Sequence, residues 1–107
     1  MDMLITTSDT IEGRNVAKTL GLVLGNTVRT RWLGSNIKAQ LRNLVGGEVP
    51  EYTVMLSDAR NEAIARLVEH AKGMGADAIV ALRFTTAEAM SGGTEILAYG
   101  TAVKLGK

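Results

Sequence analysis

Cysteine is absent from this sequence of 107 residues, proline occurs once, and Phe, Trp and Tyr together make up 4%. The lack of cysteine excludes disulfides, thiol catalysis and thiolate metal ligands together. Soft and borderline metal ions prefer thiolate and imidazole ligands, and the only histidine is His70, so the sequence predicts no bound metal and no cofactor. With so few aromatic residues, the core must consist mainly of Leu, Val, Ile, Ala and Met.

Charge of one sign and long apolar runs are lacking as well. The 12 basic residues are matched by 11 acidic ones, a net charge of +1, so no overall field draws the chain to nucleic acid or to a membrane. The N-terminus has no apolar run of the kind found in signal peptides, and no segment is long enough to cross a bilayer. We therefore expect a single cytoplasmic domain over residues 1–107, without a membrane partner.

What the sequence does contain is one strongly amphipathic segment. Between Glu51 and Gly73, apolar residues recur every three or four positions and charged residues lie opposite them, which predicts a long helix. Pro50 suits the first helical turn, and Gly75 can adopt the left-handed conformation that ends a helix. Because the period changes to two from Ala76 onwards, a strand is expected to follow.

The other segments predict a sheet beneath this helix. Asn15–Val28 fits both a helical stripe and a strand alternation, and we predict a strand because its glycines disfavour a helix. Residues 91–94, Ser-Gly-Gly-Thr, indicate a tight turn into a last strand, Glu95–Leu105. A short strand over Met3–Thr6 and a short helix beginning at Ser35 complete an α+β fold, in which one long helix covers an antiparallel sheet in two layers.

The predicted sheet has a bulky face and a small face. If Gly92-Gly93 forms a two-residue hairpin loop, Thr86 lies opposite Tyr99, and the bulky side chains share one face. That face carries Val80, Leu82, Phe84, Leu97 and Val103, and we expect the helix to cover it. The other face carries Ala81, Ala98, Gly100 and Ala102. Because one helix covers one face and small residues let another layer approach closely, we predict that this small face joins the subunits of a homo-oligomer.

Carboxylates are predicted to collect where the long helix begins. A helix rises about 1.5 Å per residue and a strand about 3.3 Å, so the helix start lies level with the end of the hairpin. The expected result is an acidic rim beside two tyrosines, made of Glu48, Glu51, Glu88 and Glu95 with Tyr52 and Tyr99. Four carboxylates repel one another unless a positive charge compensates them.

Several interpretations of this rim are open. Of the interpretations that give the rim a specific task, the favoured one is contact with basic residues of a neighbouring subunit, namely Arg29, Arg31, Lys38 and Arg42. A second is a hard cation such as Ca²⁺ or Mg²⁺, which prefers carboxylate oxygens, and a third is a set of separate solvated glutamates. The basic residues lie within residues 27–43 together with Trp32, a pattern that can also bind single-stranded nucleic acid. The balanced total charge disfavours this last alternative.

A set of motifs runs along nearly the whole chain. In order they are Thr6-Thr7, Gly21-Leu22-Val23 with Gly25, Gly46-Gly47-Glu48, Glu51-Tyr52-Thr53, Ala59-Arg60 with Ala63, Gly75-Ala76-Asp77-Ala78 and the closing stretch Glu95–Val103. In these motifs the chain resembles the YbjQ-type family of bacterial and archaeal proteins. The resemblance implies a dodecin-like β-α-β-β unit that assembles into a ring, with a homopentamer favoured. It also carries a heavy-metal-binding label, and it implies no catalytic residues.

The leading functional hypothesis is a non-enzymatic, ring-forming protein that binds a small ligand or a partner at subunit boundaries. One alternative is a ring that binds RNA or DNA through residues 27–43. Another is a hard-cation site, or a hydrolase, built on the clustered carboxylates. No catalytic residue is predicted, because the serines occupy turn, cap or helix-surface positions and a single histidine would have to activate any of them.

Overall fold

The computed structural model describes residues 3–30, 50–88 and 93–106, with the backbone alone for residue 30 and residues 50–52. These residues form a four-stranded sheet with one helix packed on it. The elements are β1 (Leu4–Ile5), β2 (Val16–Thr30), α1 (Pro50–Gly73), β3 (Ala78–Glu88) and β4 (Gly93–Leu105). The strand order is β1-β3-β4-β2; β1 is parallel to β3, and the other pairs are antiparallel. The predicted α+β fold is confirmed, whereas the predicted short helix beginning at Ser35 lies outside the described residues.

The long helix begins and ends where the sequence predicts. Pro50 is its first residue, where the missing N–H costs no hydrogen bond. At its other end the Ala76 N–H donates to the Ala71 carbonyl at 3.0 Å, and Gly75 has a φ of 79°. This is the left-handed cap that glycine forms without steric cost. Across the described ranges, no helix is both long and apolar enough to span a membrane.

The helix covers the small face of the sheet, so the prediction that it covers the bulky face is wrong. Its own inward stripe is mostly alanine: Ala59, Ala63, Leu67 and Ala71 are all 0% exposed. They pack in one cluster with small residues of β2 and β4, including Val23, Ala98 and Ala102. Small side chains on both layers let the helix backbone come close to the sheet backbone, and close packing of this kind maximises dispersion contacts.

This packing also corrects the predicted oligomer face. Ala98 and Ala102 are 0% exposed and Gly100 is buried beneath the same layer, so within one chain these residues are not available to a second subunit. Ala81 is half-buried and lies at an irregularity of β3 rather than on a smooth surface. Assembly itself stays a prediction, but it must use a different surface.

The predicted hairpin register is wrong for two separate reasons. Gly93 belongs to β4 and Glu88 lies opposite Thr94, so the predicted two-residue loop of Gly92-Gly93 does not hold. In addition, the pairing shifts between Val80 and Arg83, where Ala81 has a φ of 57°. Arg83 therefore lies opposite Tyr99, and Thr86 lies opposite Ile96. The bulge separates Val80, opposite Thr101, from Phe84, opposite Ala98, and puts them on opposite faces.

Among the residues that the structure describes, the face away from the helix is covered at one end only. There Ile11 and Leu105 pack against a small second core of Ala78, Val80 and Val103. Further along, β2 presents Leu22, Leu24 and Val28 with 60%, 43% and 51% of their surface exposed. Their neighbours on β4 are Leu97 and Tyr99, both half-buried. We call this surface of Leu22, Leu24, Val28, Leu97 and Tyr99 the open face.

The predicted core is therefore right in part. Of the bulky face that was predicted to be covered, Val80, Leu82 and Val103 are buried, and so are Ala63 and Leu67 of the helix stripe. Phe84, in contrast, is 40% exposed, because the bulge turns it to the helix side at a position that α1 does not reach. Leu56 and Leu97 are half-buried.

Candidate functional site

Glu62 is the centre of the most highly connected polar cluster in the described part of the chain. The Thr27 hydroxyl donates to Glu62 Oε1 at 2.7 Å, and Arg29 Nη2 donates to the same oxygen at 2.9 Å. Arg66 Nη2 donates to the other oxygen at 3.2 Å. Thr27 and Arg29 are two residues apart on β2 and therefore point to the same face, while Arg66 is one helical turn from Glu62. One carboxylate thus joins the helix to the strand through three donors.

The electrostatics of this cluster favour the charged form of Glu62. The Thr27 hydrogen bond is the largest influence that lowers the pKa of Glu62 below its ordinary value of 4.5, followed by the charges of Arg66 and Arg29. Desolvation acts in the opposite direction and does not overcome them. Because two guanidinium groups meet one carboxylate, the cluster keeps a net positive charge.

Arg66, and with it the helix residue His70, also forms hydrogen bonds with the outer edge of β2. Arg66 Nη1 donates to the Asn26 carbonyl at 2.6 Å, and Nδ1 of His70 accepts a hydrogen bond from the Leu24 N–H at 3.1 Å. These backbone groups belong to an edge strand and have no strand partner on that side within the sheet. Glu62, Arg66 and His70 follow one another at intervals of four residues, and we call this row the latch. His70, the only histidine, therefore has a structural role in this row.

The latch connects residues that the sequence alone does not bring together. The spacing of four residues predicts the Glu62–Arg66 pair, and the structure contains it. The contacts of Glu62 with Thr27 and Arg29 join positions 35 and 33 residues apart, for which the sequence offers no signal. The open face was also missed, because the same alternating pattern fits a covered face and an uncovered one.

The predicted acidic rim is not assembled by the residues that the structure describes. Glu88 is paired with Thr94, and Glu95 is paired with Ala87. The two glutamates therefore lie on opposite faces of the sheet. Glu95 instead accepts a hydrogen bond from Asn26 Nδ2 at 3.2 Å. Tyr99 lies opposite Leu24 of β2 on one side and opposite Arg83 of β3 on the other, rather than opposite Thr86 as predicted. Glu48 and the side chains of Glu51 and Tyr52 lie outside the described residues.

The predicted basic partners of that rim are also placed differently. Arg29 forms an ion pair of 2.9 Å with Glu62 of its own chain, and its contact with a neighbouring subunit stays a prediction. Arg31, Lys38 and Arg42 lie outside the described residues. Of the segment 27–43 proposed as a nucleic-acid surface, only residues 27–30 are described.

The Glu62 cluster predicts a specific dependence of stability on pH. A carboxyl whose pKa is lowered on folding stabilises the native state above its unfolded-state pKa, and this contribution disappears as the pH falls through the lower, native pKa. We expect Glu62→Gln to reduce the free energy of unfolding at pH 7 and to have a shrinking effect as the pH drops below 4.5. Urea titrations of both proteins between pH 3 and pH 7 measure this difference.

The matched control is Glu69→Gln, which changes an exposed glutamate about two turns further along the same helix. It is expected to leave the free energy of unfolding nearly unchanged across the same pH range. Equal effects of the two substitutions at every pH would contradict the role assigned to Glu62.

Together these features define a class of protein: an α+β domain whose helix is latched to an edge strand and whose sheet leaves one apolar face open. Residues 3–106 match the YbjQ_1 family model, which is described as "putative heavy-metal-binding". A UPF0145 protein of Archaeoglobus fulgidus is 55% identical over 104 residues, covering 97% of this chain and 96% of that protein. One of Methanosarcina acetivorans is 53% identical over 103 residues, covering 96% and 97%. The chain belongs to this YbjQ family of UPF0145 proteins.

A solved structure has the same fold. A protein of unknown function from Pediococcus pentosaceus, of the DUF74 family, aligns with a TM-score of 0.68 over 97% of this chain and 98% of its own. The two sequences are 18% identical, so the likeness concerns the fold alone.

The heavy-metal description of the family model does not fit the donors of this chain. Cysteine is absent, and Nδ1 of the single histidine already accepts the Leu24 N–H. Throughout the described residues, no group of three or more His, Asp or Glu side chains could hold a metal ion. Thiolate and imidazole ligands are what a soft ion requires, and this chain lacks a set of them.

Proposed function

We propose that this protein is a non-enzymatic homo-oligomer, with a pentameric ring of dodecin-like subunits favoured, that binds a small ligand or a partner at its subunit boundaries. The observation that carries the proposal is the open face. Leu22, Leu24 and Val28 leave 60%, 43% and 51% of their surface in water on one strand. Together with Leu97 and Tyr99 they form a largely apolar surface, interrupted by the hydrogen-bonded pair Asn26–Glu95, and exposed apolar patches of this kind are typical of interaction sites.

The proportions of the fold explain why one chain leaves this face open. The 24 residues of α1 span about 36 Å, whereas the 15 residues of β2 span about 50 Å. The helix packs on the small face and so cannot cover the other face. Among the described residues, Ile11 covers only one end of that other face. Burying a leucine or valine side chain contributes roughly 1.5–3 kcal/mol, so repeating this face on every subunit supplies a substantial driving force for assembly.

A ligand at the boundary would meet a mixed surface. Tyr99 lies in the middle of the open face, between Leu24 of β2 and Arg83 of β3. An aromatic ring with a hydroxyl group, flanked by apolar side chains, is the combination found in many small-molecule sites. The proposed site is therefore completed by a second subunit that covers Leu24 and Tyr99.

The test is the mass of the assembly in solution. Native mass spectrometry of the protein purified from its own cells is expected to give a pentamer, with any retained ligand visible as additional mass. Leu24→Glu places a charge in the open face and is expected to give monomers with unchanged helical circular dichroism. Val54→Glu, at a helix position that is 59% exposed, is the control and should keep the wild-type mass. A monomeric wild type at micromolar concentration would contradict the proposal.

The two alternative functions have no comparable support from the described residues. Arg29, one of the basic groups proposed to contact nucleic acid, is paired with Glu62 of its own chain. The pleat separates Glu88 from Glu95, which removes part of the carboxylate cluster proposed for a hard cation or for hydrolysis.

A further inference from the structure

We propose that the open face binds a small organic acid with one negative charge, whose carboxylate pairs with Arg83 and whose apolar body contacts Tyr99 and Leu24. The inference rests on the proposed function and names the class of ligand that the subunit boundary would take. Arginine suits this task because its planar fork of N–H donors matches the two oxygens of a carboxylate.

A β-bulge places Arg83 on the open face. The pairing of β3 with β4 shifts at the bulge, so that Arg83 lies opposite Tyr99. Under the pairing that precedes the bulge, Arg83 would lie opposite Ala98, which is 0% exposed beneath the helix. Because residues at opposite positions of neighbouring strands share a face, the bulge turns a cation away from the core and sets it beside the tyrosine.

The chain maintains this bulge although its backbone is strained. Ala81 has a φ of 57°, a left-handed conformation that costs free energy for a residue with a Cβ. Its N–H donates to the Ser8 carbonyl at 2.9 Å, which ties the bulge to the N-terminal segment. On β4, Gly100 makes room for it, since a Cβ there would lie 3.0 Å from the carbonyl oxygen of Val80. The strain has one clear result at the surface, the position of Arg83.

Backbone oxygens hold the guanidinium of Arg83 in place. Nη1 donates to the Thr7 carbonyl at 2.9 Å and to the Leu82 carbonyl at 2.8 Å, which uses both of its N–H groups. Among the residues that the structure describes, Nε and Nη2 donate to no group, and Arg83 forms no ion pair. Nε and Nη2 form the second fork of the guanidinium. A carboxylate can therefore bind there through two parallel hydrogen bonds to a group that is already ordered.

The surroundings of Arg83 decide the class of ligand. Tyr99 and then Leu24 follow it across the sheet, so the rest of the ligand must be largely apolar. Glu95 belongs to the same face but lies opposite Ala87, about 13 Å along β3 from Arg83, and does not neutralise it. One guanidinium balances one negative charge, which matches a carboxylate better than a phosphate group with nearly two charges.

Two fluorescent probes, 2-naphthoate and 2-naphthamide, provide a matched test because they share an apolar body and differ in charge. Titration of the wild-type oligomer is expected to show at least about tenfold tighter binding of 2-naphthoate. Equal affinities, or no binding of 2-naphthoate at millimolar concentration, would overturn the proposal. Tighter binding of 2-naphthyl phosphate than of 2-naphthoate would overturn the assignment to a carboxylate. These comparisons use the unmodified protein and do not depend on the folding of a variant.

Substitution of Arg83 tests the residue itself. We expect Arg83→Gln to weaken the binding of 2-naphthoate at least about tenfold and that of 2-naphthamide by less than about twofold. Arg83→Lys keeps the charge but loses the fork, so its affinity for 2-naphthoate should lie between those of wild type and Arg83→Gln. The control is Arg60→Gln, an exposed position on α1 at the other side of the sheet, and it should bind both probes as the wild type does. A folded Arg83→Gln variant with the wild-type preference would refute the role of Arg83.

The mass of the assembly separates this inference from the proposed function. An oligomer without a preference for 2-naphthoate refutes the ligand class and leaves the homo-oligomer intact. A monomeric wild type contradicts the homo-oligomer, and the preference of that monomer for 2-naphthoate or 2-naphthamide then decides the ligand class by itself.

Discussion

Gly25→Ala is expected to lower the free energy of unfolding by at least about 3 kcal/mol. A Cβ at position 25 would overlap the carbonyl oxygen of Ala63 and the amide nitrogen of Leu67, and would lie 2.8 Å from the Leu67 Cα. These are backbone atoms of α1, which cannot rotate away. The helix must move off the sheet, and the contacts of the surrounding core are lost.

Chemical unfolding of wild type and variant at one fixed protein concentration measures this effect. The control is Gly73→Ala, because a Cβ at that position meets no atom within 4 Å beyond its chain neighbours and the adjoining helix backbone. Alanine is the better helix former, so Gly73→Ala should be neutral or stabilising by up to about 1 kcal/mol. If Gly25→Ala were as harmless as Gly73→Ala, the close approach of α1 to β2 would be wrong.

Leu67→Ala is expected to cost about 2–5 kcal/mol. Leu67 is 0% exposed and is the largest side chain in the alanine stripe of the helix, so its removal leaves a cavity that the neighbouring alanines cannot fill. The same unfolding experiment measures the loss. Val54→Ala, on the same helix but 59% exposed, should change the free energy of unfolding by less than about 0.5 kcal/mol.

Combining the two core substitutions distinguishes their causes. Because the atoms that Gly25→Ala would overlap belong to the backbone of α1, shortening the Leu67 side chain does not remove the overlap. The double variant should therefore be no more stable than Gly25→Ala alone. A double variant more stable than Gly25→Ala would show that side-chain crowding, rather than backbone overlap, sets the cost.

Much of the fold could be predicted from local patterns. The helix from Pro50 to Gly73 has both a periodic stripe and chemical end signals, Pro50 and Gly75, which act within a few residues. The strand character of Val16–Thr30 followed from its glycines and its alternation, although a helix fitted part of the pattern. Such signals depend on residues close together in the sequence, so they do not change with the tertiary packing of the rest of the chain.

The candidate site was much less predictable. A pattern of period two divides a strand into two faces without stating which of them meets the helix, and the bulkier face was the wrong choice here. The alanines of the helix stripe, Ala59, Ala63 and Ala71, were the available clue, since a small helix face packs most closely on a small sheet face. The rim failed because its register depended on a two-residue loop and on a regular β3.

The sequence by itself determined which segments are helix and strand, because periodicity, propensity and end signals act over a few residues, and its composition indicated a core of mainly aliphatic side chains. Tertiary structure alone decided three matters: that α1 covers the small face, that β3 is interrupted at Ala81, and that Glu62 meets Thr27 and Arg29. Each depends on how closely two layers pack, or on contacts between residues more than thirty positions apart. Close packing on the small face leaves Leu22, Leu24 and Val28 in water, and that exposure is the basis of the proposed function.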